Sequence, residues 1–227
     1  MTVYIEKPAV NLREELASLR NQGGYQEQQF YFDGLVENGG FDAGTSGWTA
    51  FSAATSISAA GGVLVQELVS GAASTAYTSF STEVGKTYSV QVEVTALTGG
   101  ATNPKFYIGP SLGSGTLLQV SGTTVETLSG TFVATTTTTY LHTEGRGSLA
   151  STVSFDNVSV FEVDANDDVI HTIPKGWKPK DFYEDGLLQR EGVAHDYEVV
   201  YDGFDYYVKP TVAPSATTQT CVIGVKA

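Results

Sequence analysis

Val153-Ser154-Phe155-Asp156-Asn157-Val158-Ser159-Val160 changes face halfway along. Val153 and Phe155 share one parity of a period-two strand, and Val158 and Val160 share the other. Successive strand side chains point to opposite faces, so one extra residue is needed to keep all four apolar groups on one side. The stretch therefore predicts a strand with a β-bulge at Asp156-Asn157. A bulge there turns a carboxylate and an amide sideways, where they can bind an ion or tie down another strand.

The same alternation recurs upstream. Lys86 to Leu97 puts Tyr88, Val90, Val92, Val94 and Ala96 on one face and Ser89, Gln91, Glu93 and Thr95 on the other, as a half-buried antiparallel strand does. Residues 63–69, 76–81, 105–108, 117–120, 125–134 and 138–143 also read as strands. Turn residues punctuate them at roughly eight- to twelve-residue spacing, which predicts a β-sandwich. The poly-Thr run 135–139 reads as an edge or a strand start.

The front of this stretch is Asn38-Gly39-Gly40-Phe41-Asp42-Ala43-Gly44-Thr45-Ser46-Gly47-Trp48. With the closing Ser154-Phe155-Asp156-Asn157-Val158-Ser159-Val160, it resembles the two ends of the jelly-roll carbohydrate-binding modules found beside glycoside hydrolases. The resemblance implies a calcium ion bridging the first and last strands, with the Gly40 carbonyl, Asp42 and Asp156 as ligands. No residue matches the family's middle acidic ligand, and calcium takes six to eight oxygens. Read from the residues alone, Asp42 and Asp156 equally serve as turn caps. Trp48 occupies a position that is usually core in that family.

The 227 residues carry a net charge of −13, which excludes nucleic acid as a partner, because phosphate binding needs a basic face. Cys221 is the one cysteine, so no intrachain disulfide forms, and it reads as a buried structural thiol. Residues 1–10 include Glu6, Lys7 and Pro8 and lack an apolar h-region, and no window has the length of a membrane span. The expectation is a chain not exported by the ordinary route, without membrane insertion.

Nine of the charged residues fall between 43 and 160, and the rest crowd into flanks that are shorter in total. This shift marks three parts: an N-terminal arm (1–34), a jelly roll (35–163) and a small antiparallel β domain (164–227). In the arm, Asn11-Leu12-Arg13-Glu14 reads as a capping box, and Leu12, Leu16 and Leu19 form one apolar stripe of a short helix ended by Gly23-Gly24. So short a helix needs a partner for its stripe; the three leucines are the expected oligomer or anchor contact. Residues 26–32 read as a strand leading into the middle domain. In the tail, Asp164-Ala165-Asn166-Asp167-Asp168 reads as a hairpin tip and residues 173–179 as a Pro/Gly loop. Asp185-Gly186 and Asp202-Gly203 read as hairpin turns.

The tail "GWKPKDFYEDGLLQREGVAHDYEVVYDGFDYYVKPTVAPSATTQTCVIGV" resembles the small β modules of tailed-phage virion proteins, and "KPAVNLREELASL" resembles their N-terminal arms. The combined resemblance implies a virion structural protein, a capsid decoration or head-fibre protein made in the host cytoplasm. It would be a homo-oligomer, a trimer by analogy, attached to the major capsid or other virion proteins, with its jelly roll displayed to cell-surface glycans or kept as a spacer. A tail fibre or adaptor, and a free carbohydrate-binding module of a glycan-processing system, are the alternatives.

No constellation reads as catalytic, and no cofactor is required beyond the implied structural calcium. Gly109-Pro110-Ser111-Leu112-Gly113 fits G-x-S-x-G, but Gly113-Ser114-Gly115 cannot start the helix an esterase elbow needs. Asp164-x-Asn166-x-Asp168 begins like a calcium loop but lacks its glycine and closing glutamate. His142, His171 and His195 have no metal-ligand spacing and read as surface or turn residues. Glu67/Glu83 and Asp181/Asp185 have no set separation that would make glycosidase pairs. Tyr77, Tyr107 and Tyr140 are the candidates for an exposed sugar-stacking platform, with Phe51 and Phe80 also available.

Overall fold

The computed structural model describes residues 27–31, 34–173, 175–184, 187–189, 191–192, 196–201, 203, 205–214 and 220–226. The Leu12/Leu16/Leu19 stripe and His195 lie outside these residues. Every regular element described is a strand.

β1 (Glu27–Tyr31) precedes a ten-strand sandwich: β2 (Thr49–Ala50), β3 (Thr55–Ala59), β4 (Leu64–Leu68), β5 (Ala73–Ser81), β6 (Thr87–Thr98), β7 (Thr102–Gly109), β8 (Leu118–Ser121), β9 (Thr127–Val133), β10 (Thr138–Arg146) and β11 (Thr152–Val163). One sheet has the order β2-β5-β10-β7-β8 and the other β3-β4-β11-β6-β9. All pairings are antiparallel and the chain repeatedly crosses between sheets, as a jelly roll does. Val90, Val92 and Val94 from β6 and Phe155, Val158 and Val160 from β11 meet Phe106, Ile108 and Leu141 from the facing sheet in one core. Each such side chain contributes about 1.5–3 kcal/mol by leaving water. Gln66 and Thr143 hydrogen-bond across this interior, side chain to side chain.

The bulge falls where the parity change predicts it. Asp156 faces Glu93 and Ser159 faces Gln91, so three steps on β11 oppose two on β6. Asn157 takes the left-handed conformation (φ 48°) that Asn tolerates better than most residues. The Val158 amide, freed from the ladder, donates to the Gly39 carbonyl at 3.0 Å. A Cβ on Gly39 would lie 1.9 Å from the Val158 carbonyl oxygen, so only glycine fits this crossing. Asn38 clamps the same loop: Nδ2 donates to the carbonyls of Gly44 (2.9 Å) and Ser46 (3.1 Å), and Oδ1 accepts from the Ala43 amide. Phe41 then packs on buried Trp48, ring centroids 5.3 Å apart.

A second bulge corrects the reading of β6. Ser154 faces Ala96 and Phe155 faces Val94, so Thr95 is the extra residue and Leu97, not Ala96, packs against the core beyond it. Ala96 continues the parity of Val90, Val92 and Val94 while Leu97 takes the other, so the sequence carries both readings and the smaller residue masks the bulge.

The remaining strands are β12 (His171–Thr172), β13 (Trp177–Glu184), β14 (Leu187–Leu188), β15 (Tyr197–Tyr201), β16 (Tyr206–Pro210) and β17 (Thr220–Lys226). They form sheets β1-β17-β13-β14 and β12-β16-β15 around Ile173, Phe182, Tyr197, Val208 and Val222. Here too the expectations shift. β1 pairs with β17 rather than entering the middle domain, so strands from before and after the sandwich lie side by side. Residues 177–179 open β13 rather than belonging to a loop, with Pro179 at a register shift, where a missing amide is tolerated. Cys221 is half-buried on β17, and burial pushes its thiol pKa up.

Residues 164–168 are the expected hairpin tip. Asp164 Oδ1 caps the amides of Asn166 and Asp168, and Lys209 Nζ binds Asp164 at 3.2 Å and Asp168 at 2.5 Å. A cleft of about 500 Å³ lies beside it, lined in part by Lys86, Glu162, Tyr207 and Lys209. Lys86 is paired with Glu162 at 2.9 Å and Lys209 with the two aspartates, so the cleft's charges are already answered within it.

Candidate functional site

The period-two rule sorts the β2-β5-β10-β7-β8 sheet into an inner and an outer face. Ala76, Phe80, Phe106, Ile108 and Leu141 point into the core. The opposite parity carries Tyr77 on β5, Tyr107 on β7, and Tyr140, His142, Glu144 and Arg146 on β10. Register aligns Tyr77, His142 and Tyr107 in one row across three strands, because His142 is the Cα partner of both tyrosines.

His142 is the centre of this face. Its ring lies flat on Tyr107, centroids 4.5 Å apart and planes 4° from parallel. Tyr77 lies 5.9 Å away, Tyr140 6.5 Å and Phe51 5.9 Å, the last edge-on. Tyr77 and Tyr140 are 6.5 Å apart, and Phe51 also meets Tyr77 edge-on at 6.4 Å. The structure thus brings the three sequence-predicted tyrosines together. Tyr77 and Tyr140 are half-buried, and Phe51 is 43 % exposed. Tyr107 has one face covered by His142, and Gly115 lies close against its ring, which makes it more a wall than a platform. Phe80 belongs to the core.

The expectation that His142 and His171 are surface or turn residues is corrected: both are buried. Neutral imidazole tolerates burial, and the surrounding rings provide the packing. Burial pushes the His142 pKa down to about 4, the Tyr107 backbone opposing this, and that of His171 also to about 4. Nε2 of His142 accepts the Gly113 amide at 3.0 Å, so in the neutral ring the proton sits on Nδ1. This bond fastens the Gly109–Gly113 stretch over the sheet. That stretch is a turn after β7 with no helix following, so Ser111 is not on an esterase elbow.

Glu144, almost wholly buried, is held by Lys105 Nζ at 3.1 Å and Arg146 Nε at 3.2 Å. Lys105 Nζ also lies 5.4 Å from the Tyr107 ring centroid. Burial pushes the Tyr107 hydroxyl up to about 12, the Glu144 charge adding and the Thr75 hydroxyl opposing. Tyr107 therefore stays a neutral phenol at any ordinary pH. His142, Glu144 and Arg146 were missed as site residues, although the signal was present: Tyr140, His142, Glu144 and Arg146 share one parity in Thr138–Arg146.

A different corner holds the implied calcium ligands. The Gly40 carbonyl and Asp42 Oδ1 both face Gly62. Asp156 stands across from Glu93, whose Oε2 accepts from Asn157 Nδ2 at 2.7 Å. The Asp156 pKa is raised by burial first and then by the like charges of Glu93 and Asp42, against the Asn157 amide. Glu93 is the acidic neighbour that sequence reasoning did not find. Among the described residues no three carboxylate, imidazole or thiolate groups converge tightly enough to hold a metal ion by side chains alone.

Glu67 lies on β4 and Glu83 in the turn after β5, so that pair is not built as facing catalytic carboxylates. No helix among the described residues is long and apolar enough to cross a membrane.

No family model matches the chain, and no curated protein matches it. Among solved structures it is similar to a family 4 carbohydrate-binding module (17 % identity over 56 % of this chain and 99 % of that one, TM-score 0.44). Another is TmCBM61 in complex with β-1,4-galactotriose (14 % identity, 58 % and 99 %, TM-score 0.41). A third is the enzymatically active domain of tailspike protein 4 from bacteriophage CBA120 (12 % identity, TM-score 0.44). The match covers 57 % of this chain and spans 21 % of that tailspike domain. None of these likenesses assigns a ligand or an activity to this chain.

Proposed function

We propose that the sandwich is a non-enzymatic glycan-binding module and that the outer face of the β2-β5-β10-β7-β8 sheet is its binding surface. One observation carries this reading: Phe51, Tyr77, Tyr107 and Tyr140 surround a single buried histidine on one face. Flat apolar rings suit the C–H faces of pyranoses, and exposed Gln119 on the edge strand of the same sheet offers a hydrogen-bonding side chain beside them. Migration through gels cast with soluble polysaccharides tests it. Retardation of the chain by some polysaccharides, lost in Tyr140→Ala, supports the reading, and free migration in every gel rejects it.

The pairing of β1 with β17 favours a wider reading of the whole chain. The sandwich enters and leaves a base formed by the chain's two ends, the geometry suited to a displayed module on an anchored stem. In this reading the chain is a tailed-phage virion structural protein, a capsid decoration or head-fibre protein. Residues 1–24 hold it to copies of itself and to other virion proteins through Leu12, Leu16 and Leu19. A tail fibre or adaptor is the variant of this reading that labelled-particle electron microscopy separates. Deleting residues 1–24 should reduce the oligomer to a monomer in sedimentation, and an unchanged profile rejects the anchoring role.

Calcium enters the reading as structural support. Gly40, Asp42 and Asp156, with Glu93 close by, would hold it between the first loop of the sandwich and its last strand. The ion would neutralise charges that repel one another.

A further inference from the structure

β10 presents Tyr140, His142, Glu144 and Arg146 at successive outward positions. Two residues of strand advance about 7 Å, so the aromatic end and the charged end of this row adjoin at His142. At the charged end both cations use one atom: Lys105 Nζ and Arg146 Nε each approach Glu144 Oε1. A nearly buried carboxylate needs a cation, but one is enough to neutralise it. The second is surplus, and the group is left with one excess positive charge.

This surplus sits in a chain of net charge −13. The five strands of this sheet contain no other Asp, Glu, Lys or Arg, whereas the strands of the opposite sheet carry Glu67, Glu93, Asp156 and Glu162 and no cation. The Arg146 side chain is 54 % exposed, and with Nε engaged by Glu144 its terminal nitrogens keep their donors for another acceptor. Lys105, only 16 % exposed, is held against Glu144 and the Tyr107 ring and adds charge rather than reach.

We infer that this face selects saccharides that carry a carboxylate, with Arg146 as the specificity-determining residue. The inference rests on the glycan reading above and deepens it. A sugar chain lying along β10 places one ring over Tyr77 and Tyr140 and the acid group of a uronate further along the same chain at Arg146. The guanidinium matches the planar two-oxygen edge of a carboxylate in a way that a lysine point charge does not. Glu144 fixes the Arg146 fork and, by its own charge, limits the pull on unspecific anions.

Isothermal titration calorimetry on the full chain tests this with oligouronates, such as trimers of galacturonate and of alginate, each beside its carboxyl-reduced form. The two forms share every ring and linkage and differ in the acid. The expected result is binding about tenfold tighter for a uronate than for its reduced form, the worth of one charge-assisted hydrogen bond. The gap narrows as salt rises. Arg146→Gln, at an exposed position, should bring the uronate down to the reduced form's affinity. Equal affinities in the unsubstituted chain, or a gap that survives Arg146→Gln, overturn the inference while the glycan reading stands. Absence of binding by both forms of every pair overturns the two together.

Discussion

The Gly113 amide donates to Nε2 of His142 across 3.0 Å, from the turn after β7 to the middle strand of the aromatic sheet. This bond exists only while the imidazole is neutral. It ties the turn to the platform, and Phe51 leans on the same glycine.

Stability should therefore fall in acid. A histidine whose folded pKa is depressed gives stability that is complete above its unfolded value and is lost as pH falls towards the folded one. For His142 and His171 that window runs from about 6.5 down to about 4. The unfolding free energy should drop as pH falls from 7 to 4, by an amount on the order of 1–3 kcal/mol per histidine, and the melting temperature with it. His142→Phe keeps the packing but removes the acceptor. It should flatten part of that slope and raise hydrogen exchange at Gly113. A slope identical to the unsubstituted chain's would contradict this.

Gly39→Ala should be among the most damaging small substitutions in the sandwich. The new Cβ would lie 1.9 Å from the Val158 carbonyl, so the loop or the bulge must move. The expected cost is about 1–3 kcal/mol, the range for overpacking a closed site. At Gly44 a Cβ meets nothing, and only its φ of 72° opposes alanine, so Gly44→Ala should cost about 1 kcal/mol. Chemical denaturation of the two variants checks the order.

Asp156 carries the opposite sign from the histidines. A carboxyl whose folded pKa is raised gives stability that is present below its unfolded value and is lost as pH rises through the folded one. Without a cation, Asp156→Asn should match or exceed the unsubstituted chain in melting temperature at pH 7, since asparagine keeps an oxygen for the Asn157 amide. Adding calcium should stabilise the unsubstituted chain and not the variant. If calcium leaves the melting temperature of both unchanged, the ion is not part of this fold.

Much of the sandwich was legible because its core is written in period two. Val153, Phe155, Val158 and Val160 located the Asp156-Asn157 bulge, since all four had to reach one core. The Thr95 bulge was masked, because Ala96 continues the parity of Val94 and hides the change that Leu97 makes. The two-residue β2 and the exposed-polar alternation of β3 carry too little apolar pattern to be read alone. The tyrosines were legible as candidates, but their meeting place was not, because β5, β7 and β10 are brought together by non-local pairing. His142 was misread for the same reason: nothing near it in sequence foretells Tyr107 stacked at 4.5 Å.

The location of the binding face is tested most directly by a nuclear magnetic resonance titration of the full chain with a saccharide that retards it in gels. The account predicts that side-chain resonances of Tyr77, Tyr140, Phe51 and His142 move together and saturate with one dissociation constant. Tyr77→Ala or Tyr140→Ala should weaken that constant about tenfold. Shifts confined to the Lys86–Tyr207 cleft, with the aromatic face unmoved, would contradict it.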